Sequence, residues 1–369
     1  MKFLVFGAGA IGTYIGGSLA LAGNRVTFIE QGNVVNELRK RGLRLELIKS
    51  EVRRQKAEIS SFILPPSSFT CVASLPEALT LGPFDVAIFA LKSFDTSAAL
   101  EGMKPYIEQM PPVLCLQNGV DNESAIAAVL GEDKVIAGTV TSSIGRRAAG
   151  DIVLERWRGV GVACPACASA AGTGEQGRRA AGHHLSEKLA AALDEAGLNA
   201  HLYPRAADMK WSKMLTNLIA NATSAILDMT PAEVFADPRL FSLEMAMLRE
   251  TLAVMKAQGV RAVDLPGTPV RALALAVKLP AFIARPILAK AVGGGRGGKM
   301  PSFHIDLHSG RGQSEVDWLN GAVVRYGEKF GVPTPVNRAL NNTLLAITRG
   351  EIPLAEFGRQ PEKLLALVR

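Results

Sequence analysis

Apolar and polar positions follow two different rhythms along the chain, and the change falls near Pro204. Before it, short runs of Val, Ile, Leu and Phe recur between turn-forming and amphipathic stretches, which predicts buried strands linked by helices. Lys2–Phe6, Val26–Ile29, Phe84–Leu91, Val113–Leu116, Val135–Gly138, Ile152–Leu154 and Leu198–Leu202 are the strand candidates. A strand or hairpin excursion over 43–72 runs through the Pro65-Pro66 loop. A turn is expected around Gly145–Gly150, and the Ala- and Gly-rich stretch 165–184 reads as a surface loop ahead of an amphipathic segment, Leu185–Ala196. After Pro204 the spacing becomes helical almost to the end. The chain therefore reads as two domains, α/β over 1–204 and all-helical over 205–369.

The first forty residues carry the strongest local signal. Lys2–Phe6 runs directly into Gly7-Ala8-Gly9-Ala10-Ile11-Gly12; Tyr14, Ile15, Leu19 and Leu21 then recur at helical spacing, Gly23-Asn24 breaks the pattern, and a second strand ends at Glu30. This is GxGxxG between a strand and a helix, closed by a strand with a terminal acid: a βαβ unit suited to a dinucleotide. Gly7 permits the tight turn, Gly9 lets backbone N–H groups approach a pyrophosphate, and Gly12 lets helix and strand pack closely. The same stretch has an early lysine, an apolar middle and Ala20-Leu21-Ala22, the outline of a secretory signal peptide. Only the βαβ reading accounts for the glycines and the second strand. Glu30 sits where a carboxylate hydrogen-bonds the ribose 2′-hydroxyl of NADH and repels the 2′-phosphate of NADPH. Arg39, Lys40 and Arg41 lie one helix further on, within reach of a phosphate on one reading and on a solvated helix face on the other.

Lys92 directly follows the 84–91 run, and Asn118 stands just beyond the 113–116 run. Ligands of open α/β sheets lie beyond the carboxyl ends of the strands, so both are candidates for cofactor or substrate contact. Ordinary turn chemistry is the alternative, Asn-Gly being a common turn dipeptide. In the helical half, Asp208–Asn221 reads as one helix on which Lys213, Asn217 and Asn221 recur every four residues amid Met214, Leu215, Leu218 and Ile219. Polar groups striping an apolar helix need partners or a cleft, unless they mark a solvated edge. Further on, Ser302-Phe303-His304-Ile305-Asp306 precedes Ser314-Glu315-Val316-Asp317-Trp318-Leu319-Asn320-Gly321. Ser314 and Asp317 predict a helix N-cap with Glu315 in the first turn, a position that is more often structural than catalytic. Gly331 and Pro335 predict the end of that helix and the start of the next.

Composition changes the picture only where it is uneven. With 48% apolar and 20% charged residues, the 369-residue chain is of ordinary globular make-up, which excludes disordered and collagen-like classes. No apolar run is long enough to span a membrane. The net charge of +7 is concentrated: residues 265–300 hold Arg271, Lys278, Arg285, Lys290, Arg296 and Lys299 and no acid, so the remainder carries about +1 and nucleic acid is not an expected partner. The favoured reading packs the apolar side of this segment, which Pro280 and Pro286 interrupt, on its own domain. Peripheral membrane contact and a lid bringing positive charge to an anionic substrate are the alternatives. Four cysteines in a chain of this length do not make a disulfide framework and point to a reducing, cytoplasmic setting. Cys164-Pro165-Ala166-Cys167 with His183-His184 lacks the two spaced ligand pairs of a zinc site, so no metal is expected.

Taken in order, GAGAIG at 7–12, LKSFDT at 91–96 with LQNG at 116–119, KMLTN at 213–217 and SFHID with SEVDWLNG over 302–321 resemble the ketopantoate reductase (2-dehydropantoate 2-reductase) family, across almost the whole chain. The resemblance implies an N-terminal Rossmann-type domain that binds NADPH through Gly7, Ala8, Gly9, Ala10, Ile11 and Gly12. It also implies an all-helical C-terminal domain of the 6-phosphogluconate dehydrogenase C-terminal type. By the same resemblance Lys213 is the general acid, Glu315 hydrogen-bonds the substrate hydroxyl and sets the lysine's position and charge, and Asn217, Asn221 and Ser302 hold the substrate. Asn118 touches cofactor and substrate, with Lys92 nearby. The implied reaction reduces a 2-oxo acid, first of all 2-dehydropantoate to (R)-pantoate on the route to pantothenate and coenzyme A; the oligomeric state is left open, a homodimer included. Three departures stand out. Glu30-Gln31 occupies a place where the family commonly has a basic residue, setting NADH against the implied NADPH. The loop between Ser302 and Glu315 is slightly long, and 265–300 reads as an insertion. A paralogous reductase of another 2-oxo or 3-oxo acid, and a nucleotide-sensing binding protein without turnover, are the rival readings. The Lys213, Asn217 and Glu315 set argues against the second.

Overall fold

The apolar runs of the first half pair edge to edge into one large sheet. The computed structural model describes residues 1–49, 58–163, 176–296, 299–310 and 312–368. They fall into two units: one comprises 1–117, 122–210 and 265–268, the other 118–121, 211–264 and 269–369. The α/β part runs β1 (Lys2–Phe6), α1 (Ala10–Leu21), β2 (Arg25–Ile29), α2 (Gly32–Arg41), β3 (Leu43–Lys49), β4 (Glu58–Leu64), β5 (Thr70–Val72), α3 (Leu75–Leu79), β6 (Val86–Phe89), α4 (Thr96–Met103), β7 (Val113–Cys115) and α5 (Asn122–Leu130). It continues through β8 (Val135–Val140), β9 (Ser143–Ala148), β10 (Asp151–Arg156), β11 (Val160–Ala163), α6 (Gln176–Glu195) and β12 (Ala200–Tyr203).

The main sheet has the order β12-β11-β8-β7-β6-β1-β2-β5, parallel throughout except where β11 runs against β8. Because successive side chains on a strand point to opposite faces, each strand serves two cores. Phe3, Val5, Phe28, Ile88 and Leu114 join α1 and α6 in one, while Leu4, Phe6, Phe89, Val113 and Cys115 join α3, α4 and α5 in the other. A second sheet, β4-β3-β10-β9, contributes Leu43, Leu45, Ile152 and Leu154 to the first core. Helix α1 is therefore buried on two sides, and glycine makes room on both. A Cβ on Gly16 would lie 2.6 Å from the Phe28 ring, and one on Gly17 2.6 Å from Leu45.

Two expectations for this half are corrected. The Gly145–Gly150 stretch is mostly strand: β9 pairs antiparallel with β10, and only Ala149-Gly150 turns. Residues 176–184, read as loop, form the first turns of α6, since Arg and Ala there favour a helix enough to tolerate Gly177 and Gly182. The hairpin over 43–72 is present as β3 and β4.

The helical part comprises α7 (Ala206–Leu218), α8 (Asn221–Leu227), α9 (Pro231–Ala236), α10 (Pro238–Ala257), α11 (Val270–Ala276), α12 (Ala281–Arg296), α13 (Ser302–His308), α14 (Val316–Phe330), α15 (Pro335–Thr348) and α16 (Pro361–Ala366). Helix α10 supplies much of the core through Leu240, Phe241, Met247, Leu248 and Val254. Buried Asn337 clamps it to its neighbours: Nδ2 donates to the Met247 carbonyl at 3.0 Å, and Oδ1 accepts from Asn320 at 3.1 Å. The 265–300 segment is largely helical. Val270, Ala274, Val277, Ala284 and Leu288 are buried, so part of its apolar surface packs as expected, while Leu275, Phe282, Ile283 and Ile287 face outward. Among the described residues no helix is long and apolar enough to cross a membrane.

Candidate functional site

The turn between β1 and α1 has the geometry its glycines predict. Gly7 has φ +93°, a conformation glycine adopts without steric cost. A Cβ on Gly12 would come within 1.9 Å of the Gly7 carbonyl oxygen, so the helix could not start this close to the strand with any other residue. Beside Gly9, the N-cap of α1, a Cβ would meet nothing within 4 Å. Open space at the N-terminus of a twelve-residue helix, where backbone N–H groups carry partial positive charge, fits a pyrophosphate. Ala10 and Ile11 form the first turn, while Ala8 donates its N–H to Glu30 Oε1 at 2.5 Å. Gln31 donates to the other oxygen of Glu30 at 3.1 Å, which fixes the carboxylate at the end of β2. Two of the nearby cations, Arg39 and Arg41, are otherwise engaged. Arg39 bonds the Cys71 carbonyl and Glu77, and Arg41 bonds Glu37 and the Ala149 carbonyl.

A buried polar network joins the ends of β6 and β7. Gln117 Nε2 donates to Thr96 Oγ1 at 2.8 Å and to the Lys92 carbonyl at 3.2 Å, and Asn122 bonds both Ser93 and Thr96. Lys92 thus stands at the N-cap of a short turn whose backbone is tied to the neighbouring strand. Gly119 has φ +93°, a conformation that suits glycine directly after Asn118.

Beneath this network lies a residue that the sequence reading passed over. Lys210 is buried; its Nζ sits 2.7 Å from Glu123 Oε1 and donates to the carbonyl oxygens of Gln117 at 2.7 Å and Gly138 at 3.3 Å. Burial alone would lower the pKa of this ammonium, but Glu123 and the neighbouring Cys115 outweigh it and raise it. Burial, aided by Glu123, pushes the Cys115 thiol far above its usual range. A lysine embedded among Met209, Trp211 and Ser212, none of them more than 3% exposed, was the available signal.

In the helical unit the structure brings Asn118, Asn217, Asn221 and Ser302 together. Asn217 Nδ2 donates to Asn118 Oδ1 at 2.9 Å. Asn221 Nδ2 donates to the Asn217 carbonyl at 3.1 Å and lies 3.2 Å from Ser302 Oγ, while its Oδ1 accepts the Phe303 N–H at 3.0 Å. The expectation of one continuous helix from Asp208 to Asn221 is corrected. Helix α7 stops at Leu218, and Asn221 opens α8 after Ala220 has turned into the left-handed region at φ +51°. The break is held by Glu244, buried on α10, whose two oxygens accept the Ala220 N–H at 2.8 Å and the Thr223 hydroxyl at 2.5 Å. Such an internal carboxylate has no signature in helical periodicity.

Lys213 is half-buried on α7, and Trp211, two residues before it, packs edge-to-face on Tyr326 of α14 with ring centroids 5.3 Å apart. Glu315 is buried at the other end of α14. It occupies the N-cap position rather than the first turn, because the helix begins at Val316, whose N–H bonds Ser314 Oγ at 3.2 Å. Of the cysteine and histidine group, Cys164 and Cys167 lie outside the described residues, and His184 is exposed on α6.

A dinucleotide turn on a parallel sheet, followed by a helical unit that carries a lysine, a buried carboxylate and a linked set of amides, fits a dinucleotide-dependent oxidoreductase. Residues 3–164 match the family model for ketopantoate reductase PanE/ApbA, and residues 205–348 match the model for its C-terminal part. The chain belongs to the ketopantoate reductase family. It is 27% identical to the 2-dehydropantoate 2-reductase of Archaeoglobus fulgidus over 94% of this chain and 97% of that one. The corresponding enzyme of Pyrococcus horikoshii is 25% identical over 91% and 94%. Among solved structures, a PanE/ApbA family ketopantoate reductase from Ralstonia eutropha JMP134 is similar with a TM-score of 0.71, 25% identity and coverage of 95% and 99%. D-mandelate dehydrogenase in ternary complex with NADH and anilino(oxo)acetate shares the fold, with a TM-score of 0.73, 22% identity and the same coverage. The glycine turn and the family together make a nicotinamide dinucleotide the cofactor class.

Proposed function

We propose that this chain reduces the ketone of a 2-oxo acid, 2-dehydropantoate to (R)-pantoate, with a reduced nicotinamide dinucleotide. The observation that carries the reading is the linked set Asn118–Asn217–Asn221–Ser302 in the helical unit, which collects in one place the residues that the family motifs distribute over the chain. A reduced nicotinamide dinucleotide, held by its pyrophosphate at the Gly7–Gly12 turn, would supply hydride to the carbonyl carbon. Negative charge then develops on the carbonyl oxygen, and the Lys213 ammonium neutralises it and donates the proton that completes the hydroxyl. Glu315 accepts a hydrogen bond from that hydroxyl and keeps the lysine in place. Asn217, Asn221 and Ser302 hold the rest of the substrate through their amides and hydroxyl, and Asn118 orients Asn217. Lys92 and Asn118 serve the cofactor as well. For the cofactor the reading is NADH: Glu30, anchored on Ala8 and Gln31, presents a carboxylate to the ribose, and Arg39 and Arg41 are drawn to other partners. A reducing, cytoplasmic setting suits the buried free thiols Cys71 and Cys115.

The test is oxidation of NADH and of NADPH against a panel of 2-oxo acids that includes 2-dehydropantoate. Fastest turnover is expected with 2-dehydropantoate and NADH. A faster member of the panel would reassign the substrate, a strong NADPH preference would overturn the role given to Glu30, and no turnover with any acid would favour a binding protein.

A further inference from the structure

Helix α13 carries a second set of chemistry-bearing side chains just beyond Ser302. His304 and His308 stand one turn apart, so they share a face of the helix. Their rings stack with centroids 4.0 Å apart. Asp228, at the left-handed C-cap of α8 with φ +48°, brings its carboxylate to the same place; His304 Nε2 lies 2.8 Å from Asp228 Oδ1. One ligand atom from each of the three residues lies within 4.8 Å of the others.

We infer that Asp228, His304 and His308 form a binding site for a divalent transition metal of the zinc class. Two imidazoles and a carboxylate are the donor types that suit such an ion, and three protein ligands leave a fourth position for water. The histidine four residues from its partner reproduces a spacing that zinc sites use on helices. The hydrogen bonding is already that of a ligand set. His308 Nδ1 is 2.9 Å from the His304 carbonyl oxygen, which can only accept, so Nδ1 is the donor there and Nε2 is the nitrogen left for an ion. At His304 it is Nε2, 2.8 Å from Asp228 Oδ1, that faces the same place. Bonds of about 2.0–2.1 Å draw tetrahedral ligands to roughly 3.4 Å from one another. Side-chain torsions of the exposed Asp228 and His308 supply that closure.

Such an ion would fasten α13 to the end of α8, across 76 residues of chain, and so hold Ser302 and Phe303 against Asn221. The absence of a metal expected from the spacing of Cys164, Cys167, His183 and His184 does not extend to this place. The present triad draws on other residues, and it stands independently of the proposed reaction.

The test is zinc binding to the full-length protein, stripped with chelator and dialysed against Zn²⁺, with Co²⁺ as a spectroscopic substitute. One equivalent is expected, with visible d–d absorption of Co²⁺ and no thiolate charge-transfer band. His308→Ala removes an exposed side chain, and Asp228→Asn keeps a residue that tolerates the left-handed region. Each should weaken Zn²⁺ binding at least about tenfold while the circular dichroism spectrum stays that of wild type. Absence of stoichiometric binding, wild-type affinity in His308→Ala, or a thiolate band in the Co²⁺ spectrum would overturn the site.

Discussion

The dinucleotide turn and the polar set of the helical unit are built in opposite ways. The first is local: six consecutive residues, Gly7 to Gly12, set the path of the chain, and one side chain from the next strand, Glu30, completes it. The second is assembled from Asn118, from Asn217 and Asn221 on either side of a helix break, and from Ser302, 81 residues beyond Asn221. A local site is specified by backbone geometry that glycine alone permits. An assembled site depends on supporting residues elsewhere in its own unit, here Glu244 under the Ala220 break, while the α/β unit has a buried support of its own in Lys210 with Glu123, beneath the Gln117 carbonyl.

This contrast can be broken at its supports first. Lys210→Met leaves Glu123 buried without its cation, and removal of one partner from a buried pair typically costs about 3–5 kcal/mol. Urea unfolding should show a loss of that size, and a loss under about 1 kcal/mol would mean that the pair is not a support. The pH dependence of the difference has a definite sign. Because the Lys210 pKa is raised in the folded protein, the pair contributes fully below about pH 10.4, the ordinary lysine value of an unfolded chain. The contribution fades as pH rises through the higher folded value, so wild type and variant should converge at strongly alkaline pH.

At the assembled site itself, Asn217→Ala removes the amide that bonds Asn118 and faces the substrate in the proposed reaction. kcat/KM for the 2-oxo acid should fall between about 10- and 100-fold, the range of one charge-assisted hydrogen bond, with dinucleotide affinity little changed. An equal loss of both would show that the two sites are not separable. The smallest effect belongs to the local site: Glu30→Gln should narrow the preference for NADH over NADPH by about fivefold, as expected for one partly exposed hydrogen bond. An unchanged ratio would remove Glu30 from cofactor selection.

The contrast also explains what could be read in the sequence. The strand runs, the GxGxxG turn and the change to helical spacing beyond Pro204 are set by local periodicity, and the structure shows the parallel sheet and the helical unit they predict. Where glycine and alanine blur that periodicity, as in β9 and the first turns of α6, the reading failed. It failed again at Ala220, where helical spacing continues through residues that do not continue the helix, because a carboxylate 24 residues away captures the freed N–H. Asn320, prominent in the SEVDWLNG motif, is a core clamp to Asn337. No spacing argument separates such a residue from Ser302 or Asn217.

The central proposal is that Lys213 carries the proton chemistry and that the Gly7–Gly12 turn binds the dinucleotide without its help. The most direct measurement is kcat of Lys213→Ala on the preferred 2-oxo acid, with the dinucleotide dissociation constant of the same preparation. The account predicts a fall in kcat of about 100-fold or more at unchanged dinucleotide affinity. Near-normal turnover would contradict it.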